Sequence, residues 1–126
     1  MNFMSLILVF VGGGVGSIAR YGIGKAVQSL LQSNFPLATL IANVVSCGVM
    51  AFVPFYFKEN PAFENVFKTF IFIGFCGGLS TFSTFSYETF QLLKQGQWAF
   101  ALLNIGLSII MCLAVFFAFF IKQEGQ

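Results

Sequence analysis

Residues 74–85 read Gly-Phe-Cys-Gly-Gly-Leu-Ser-Thr-Phe-Ser-Thr-Phe, in the middle of a stretch apolar enough to cross a membrane. Gly77 and Gly78 each disfavour helix by roughly 1 kcal/mol relative to alanine. A break in a spanning helix leaves backbone groups unpaired, and hydrocarbon does not tolerate that. It is allowed where the backbone is buried in protein or lines a wet cavity. The segment therefore points to a site for an ion at membrane depth. Freed carbonyls at such a break suit a hard cation, and hydroxyls can donate to an anion.

Other polar side chains repeat at helical spacing. Ser80, Ser83, Thr84 and Tyr87 fall on one stripe, with Phe82, Phe85 and Thr89 beside it. Asn43 lies mid-span and shares a face with Thr39 and Ser46, while Asn104, Ser108 and Cys112 recur every four residues. Together these faces can line a narrow polar track. The positive ring edges of Phe82 and Phe85 can add contacts to a small anion. The competing reading for each polar residue is glue between helices, and for each phenyl ring it is packing. Arg20 follows Gly12 and Gly16 at intervals of four. Small residues four apart let helices approach closely. Two readings of Arg20 stand: a cation at the mouth of an anion pathway, and a snorkelling interfacial arginine.

Absences narrow the chemistry. The sequence contains no histidine, and no acidic residue sits in the interior of a span; Glu88, one turn beyond Thr84, is the nearest. Proton-coupled transporters generally use an intramembrane carboxylate or histidine relay. There is no nucleophile–base pair and no phosphate loop, so catalysis has no visible apparatus. A net charge of +2 without a basic cluster does not suggest nucleic acid. Cys47, Cys76 and Cys112 lie one in each of three spans without ligand spacing, and read as small apolar packing residues.

The elements that must position these groups follow from composition. The 126 residues are 58% hydrophobic and 8% charged, which is membrane-protein composition. Charge-free stretches cover 3–19, 26–57, 69–87 and 95–121, each near or above the roughly 18–20 residues needed to span. The expectation is a single all-α domain over 1–126, with helices at about 3–31, 37–57, 66–93 and 97–121. The third is broken near Gly77, and a polar loop at 58–61 turns at Pro61. The first span lacks a small-residue cleavage site after a basic start and reads as a retained helix. Trp98 stands where an interfacial anchor would. With an even number of spans, Lys58, Lys68 and Lys122 fall on one side, and Arg20, Lys25 and Lys94 on the other. Three against three gives the positive-inside rule nothing to act on, so both orientations are expected.

These residues resemble the Fluc-type (CrcB-like) bacterial fluoride channels, over nearly the whole chain. The most specific likeness is Gly74-Phe75-x-Gly77-Gly78-x-Ser80-Thr81-Phe82-Ser83-Thr84-Phe85, followed by Glu88. Gly12-Gly13-x-x-Gly16-x-x-x-Arg20-Tyr21 and Thr39-Leu40-x-x-Asn43 agree with it. The sequence departs from the family's pattern at Ala38 and Ser46, where glycine is common, at Asn104, where tyrosine is frequent, and at Cys112, where serine occurs. The resemblance implies an antiparallel, dual-topology homodimer of four-helix subunits, multi-pass in the bacterial inner (plasma) membrane, with two separate fluoride pores. It implies a structural Na⁺ on the backbone carbonyls of Gly77 and Ser80. It implies a fluoride path along Asn43, Phe82, Ser83, Thr84, Phe85 and Ser108, with Arg20 near the vestibule. Its partners would be fluoride, a second copy of itself and the lipid bilayer. The expected activity is passive export of cytoplasmic fluoride. The alternative is a proton-coupled small dual-topology transporter, for which Glu88 is the only plausible carboxylate.

Overall fold

Apolar residues occupy every face of the long helices, so packing is set by where small residues let backbones meet. The structure, a computed structural model, describes residues 1–56 and 61–125. Helix α1 (Phe3–Leu30) continues unbroken past Arg20, and its start is capped by the Asn2 side chain, which accepts from the Ser5 N–H at 2.8 Å. Helix α2 (Leu37–Tyr56) follows the Ser33–Pro36 turn. The third span is composite. It comprises α3 (Pro61–Phe67), a wider π-helical segment (Lys68–Cys76), a single turn α4 (Gly77–Leu79) and, after two non-helical residues, α5 (Phe82–Lys94). Gly96, at φ +77°, makes the left-handed turn that delivers the chain to α6 (Trp98–Glu124). Among the described residues four helical spans are long and apolar enough to cross a membrane: Phe3–Leu30, Leu37–Tyr56, Glu64–Lys94 and Trp98–Glu124. The molecule is an all-helical, multi-pass membrane protein.

Two helix pairs form the frame. Helix α6 packs on α2, and Phe119 meets Phe52 and Phe55 edge-on at centroid distances of 6.2 and 6.0 Å. Helix α1 packs on the π-helical segment and α4. There Gly12 and Gly16 face Gly74 and Gly78. A Cβ on Gly74 would lie 3.0 Å from the Gly12 Cα. A Cβ on Gly16 would overlap the Phe75 carbonyl oxygen, and one on Gly78 the Gly13 carbonyl oxygen. This is backbone-to-backbone contact of the small-residue kind.

The glycines explain where the structure departs from expectation. Gly77 keeps helical angles (φ −63°, ψ −36°), and the interruption falls at Ser80–Thr81, three residues later than the sequence suggests. The glycine run makes room for α1; hydrogen bonding at Ser80 and Thr81 makes the break. The stripe expected from Ser80 through Tyr87 is therefore not one continuous helix face. Pro61 begins α3 instead of forming a turn, a position that suits it because the first helical N–H has no partner to lose. Helix α6 runs to Glu124, beyond the expected 121. The expected end of the second helix at 57 and the loop at 58–60 lie outside the described residues.

Replacing Gly16 or Gly78 with alanine should destabilise the protein by about 1–3 kcal/mol or more, through overpacking against backbone that cannot move aside. Alanine at Gly22 or Gly106, where nothing lies within 4 Å of an added Cβ, should be neutral or slightly stabilising. Thermal unfolding in detergent measures the difference; equal melting of both sets would contradict this packing.

Candidate functional site

The break can be built up bond by bond. Ser80 (φ −83°, ψ 155°) and Thr81 (φ −154°, ψ 119°) are extended, so the hydrogen-bond ladder stops at membrane depth. The Cys76 carbonyl accepts from Ser80 N–H (2.9 Å), Ser80 Oγ (2.7 Å) and Ser46 Oγ (3.2 Å). The Thr81 N–H donates to Asn43 Oδ1 at 2.8 Å, and Asn43 Nδ2 returns a longer bond to the Thr81 carbonyl at 3.4 Å. Thr81 Oγ1 accepts from the Thr84 N–H at 3.1 Å and so caps α5. Arg20 Nε donates to the Gly78 carbonyl at 3.1 Å.

This arrangement turns two helical donors at the break to side chains. The Thr81 N–H would ordinarily serve Gly77, and the Thr84 N–H would serve Ser80; both are turned to side chains. Gly77 is exposed and Ser80 half-buried. A pair of neutral oxygens that have lost their helical donors has the chemistry a hard cation prefers, but two are fewer than such ions take.

Beside the break is a pocket of about 310 Å³. It brings together Asn43, Phe82, Phe85 and Ser108 from three separate elements, and adds Cys47 and Cys112. The Phe82 and Phe85 rings lie 5.8 Å apart at an interplanar angle of 36°. Phe82 is 79% exposed, whereas Phe85 is half-buried. The other expected path residues are not in its wall. Ser83 is exposed, with its hydroxyl 3.2 Å from Thr81 Oγ1. Thr84 is half-buried and contributes its backbone N–H to the cap. Arg20 is half-buried and donates its Nε–H to the break.

Behind the pocket, Ser108 Oγ donates to Asn104 Oδ1 (3.4 Å), Asn104 Nδ2 to Thr89 Oγ1 (2.9 Å), and Thr89 Oγ1 to the Phe85 carbonyl (2.8 Å). Asn104 is 1% exposed. It ties α6 to α5 and sets the Ser108 hydroxyl without reaching the pocket itself. Sequence reasoning also left Thr39 and Glu88 unpaired. In the structure Thr39 Oγ1 donates to Glu88 Oε1 at 2.7 Å, and Glu88 Oε2 is buried without a hydrogen-bond donor among the described residues. The pair adjoins a polar cavity of about 660 Å³, to which Gln28, Asn34, Gln91 and Gln95 contribute. Thr39 on the Asn43 face and Glu88 just past the hydroxyl run were the available signals.

The family model described as CrcB-like protein, Camphor Resistance (CrcB), matches residues 7–120. A Pyrococcus abyssi protein named fluoride-specific ion channel FluC is 36% identical, over 96% of this chain and 97% of its own length. A protein of the same name from Pectobacterium atrosepticum is 42% identical, over 90% of this chain and 92% of its own. One from Coxiella burnetii (strain CbuK_Q154) is 37% identical, over 88% and 90%.

Asn43 satisfies the buried end of the break, so Asn43→Ala should cost about 1–3 kcal/mol, the penalty of a stranded backbone donor. Asn43→Asp keeps an acceptor for the Thr81 N–H and should lose less. Thermal unfolding in detergent ranks the two; Ala at least as stable as Asp would contradict the role of Oδ1.

Proposed function

This chain belongs to the CrcB-like protein family, and we propose that it is a fluoride-selective channel that passively exports cytoplasmic fluoride across the bacterial inner membrane. The observation that carries the reading is the start of α5 at the Asn43–Phe82–Phe85–Ser108 pocket. A helix start presents free N–H groups and the positive end of the peptide dipoles, which favour an anion. Fluoride is small and strongly hydrated, so a narrow path must replace its water with hydroxyl, amide and ring-edge donors. An amide, hydroxyls and two rings stand in the pocket wall, with no carboxylate among the lining residues. The relatives' names point the same way.

The working unit in this proposal is an antiparallel homodimer with two pores. Gly77 and Gly78 border a groove of about 700 Å³ that they share with Gly13, Gly14 and Ser17 of α1. A second copy there would supply a second set of Gly77 and Ser80 carbonyls, raising the oxygen count toward that of a buried Na⁺ site. Bound Na⁺ would offset the negative carbonyl ends that the break exposes. The balance of basic residues supports insertion in both orientations, which C-terminal reporters on the two membrane faces would test.

Replacing Phe82 or Phe85 with leucine or isoleucine keeps most of the bulk and removes the positive ring edge. Fluoride flux, read with an electrode on reconstituted liposomes, should fall roughly tenfold or more, equivalent to about 1.4 kcal/mol on the barrier. Leucine at Phe116 or Phe119 of α6 should have much less effect on flux. Equal small effects at all four positions would remove the aromatics from the path.

A further inference from the structure

Cys47 on α2 and Cys112 on α6 are distant in sequence and share no ligand spacing. The packing of α2 against α6 nevertheless brings both to the wall of one pocket. Both are free and half-buried, and both line the pocket that holds Phe82 and Phe85. The third cysteine is different: Cys76 is buried, and its Sγ donates to the Ser46 carbonyl at 3.6 Å. Two thiols in the wall of one pocket are a different feature from three scattered packing residues.

Their chemistry narrows what they can hold. Among the described residues no group of three or more His, Cys, Asp or Glu side chains is placed to hold a metal. Zinc in structural sites takes four ligands, so a pair of thiols is too few. Hard cations prefer oxygen. Soft ions prefer sulfur, and those content with two ligands in line need nothing more than this pair. We propose that Cys47 and Cys112 form a two-thiol site for a soft, two-coordinate thiophilic cation, and that its occupation closes the pocket beside Phe85 and Ser108. With mercuric chloride, two Hg–S bonds form while two Hg–Cl and two S–H bonds break, and two protons and two chloride ions leave. The reagent enters as a neutral molecule, which avoids moving a bare charge into an apolar wall. The closure rests on the pocket being the fluoride path; the binding does not.

The test uses the purified full-length protein with mercuric chloride as probe, and each variant is compared with its own untreated flux. Mass spectrometry should find one mercury per wild-type chain, with two thiols lost to alkylation and Cys76 unaffected. Fluoride flux should stop and return on adding excess dithiol. Cys47→Ser and Cys112→Ser should each raise the blocking concentration roughly 100-fold, the loss expected when a two-point attachment becomes single. Alanine at either position serves where serine disturbs folding. Cys76→Ser should leave the response unchanged, and zinc chloride should not block. Wild-type chains that take up no mercury, or single variants as sensitive as wild type, would overturn the site. One mercury per chain with undiminished flux would overturn the closure. Absence of fluoride flux before treatment would fail the channel reading, and the mass measurement would still decide the thiol pair.

Discussion

A backbone polar group cannot be left unpaired in hydrocarbon, and the rest of this structure answers that constraint at Ser80–Thr81. Two extended residues remove helical bonds where water cannot replace them. The replacements come from two other helices, α1 and α2. Asn43 on α2 takes the Thr81 N–H, Ser46 on α2 joins Ser80 at the Cys76 carbonyl, and Arg20 on α1 takes the Gly78 carbonyl. Asn43 and Ser46 stand on α2 and Arg20 on α1, so the break is satisfied only in the assembled bundle. The same substitutions leave the Gly77 and Ser80 carbonyls without helical donors and start α5 beside a pocket. Carbonyls without helical donors and a helix start thus arise from one local event.

Glycine contact makes that event possible. With Gly12 and Gly16 against Gly74 and Gly78, α1 lies close enough for Arg20 to reach the Gly78 carbonyl. A side chain in that seam would push α1 away and strand the carbonyl. On the far side, the Ser108–Asn104–Thr89 chain ties α6 to α5 just behind Phe85. The pocket is held between a backbone seam and a hydrogen-bonded brace. Its aromatic residues need no packing core of their own, which suits a largely exposed Phe82 ring.

Much of this was legible in the sequence. Long charge-free runs set the four spans, because spanning length is a property of composition. Asn43, Phe82, Phe85 and Ser108 stood out because polar or clustered aromatic residues at mid-span are costly or conspicuous. The position of the break was not legible. Gly77 and Gly78 look like helix breakers by propensity, yet in the structure Gly78 supplies close approach to α1 and Gly77 keeps helical angles, and propensity cannot distinguish these uses. Asn104 and Ser108 share a helix face with Cys112, but only the placement of Thr89 on α5 shows that Asn104 turns away from the pocket. The pocket wall shared by Cys47 and Cys112 joins residues on helices remote in sequence, and no local pattern encodes it. The Ser80–Tyr87 stripe failed because a period holds only while the helix does.

The central claim is that fluoride crosses passively and alone through a path beside this break. Liposomes loaded with potassium fluoride and bearing the purified protein test it most directly. Uncompensated charge should hold fluoride inside until a potassium ionophore is added, after which it should leave rapidly while chloride under the same conditions stays. Fluoride efflux that needs no ionophore and brings protons with it would instead indicate a coupled carrier, with Glu88 as its carboxylate. Absence of efflux with the ionophore present would contradict the channel altogether.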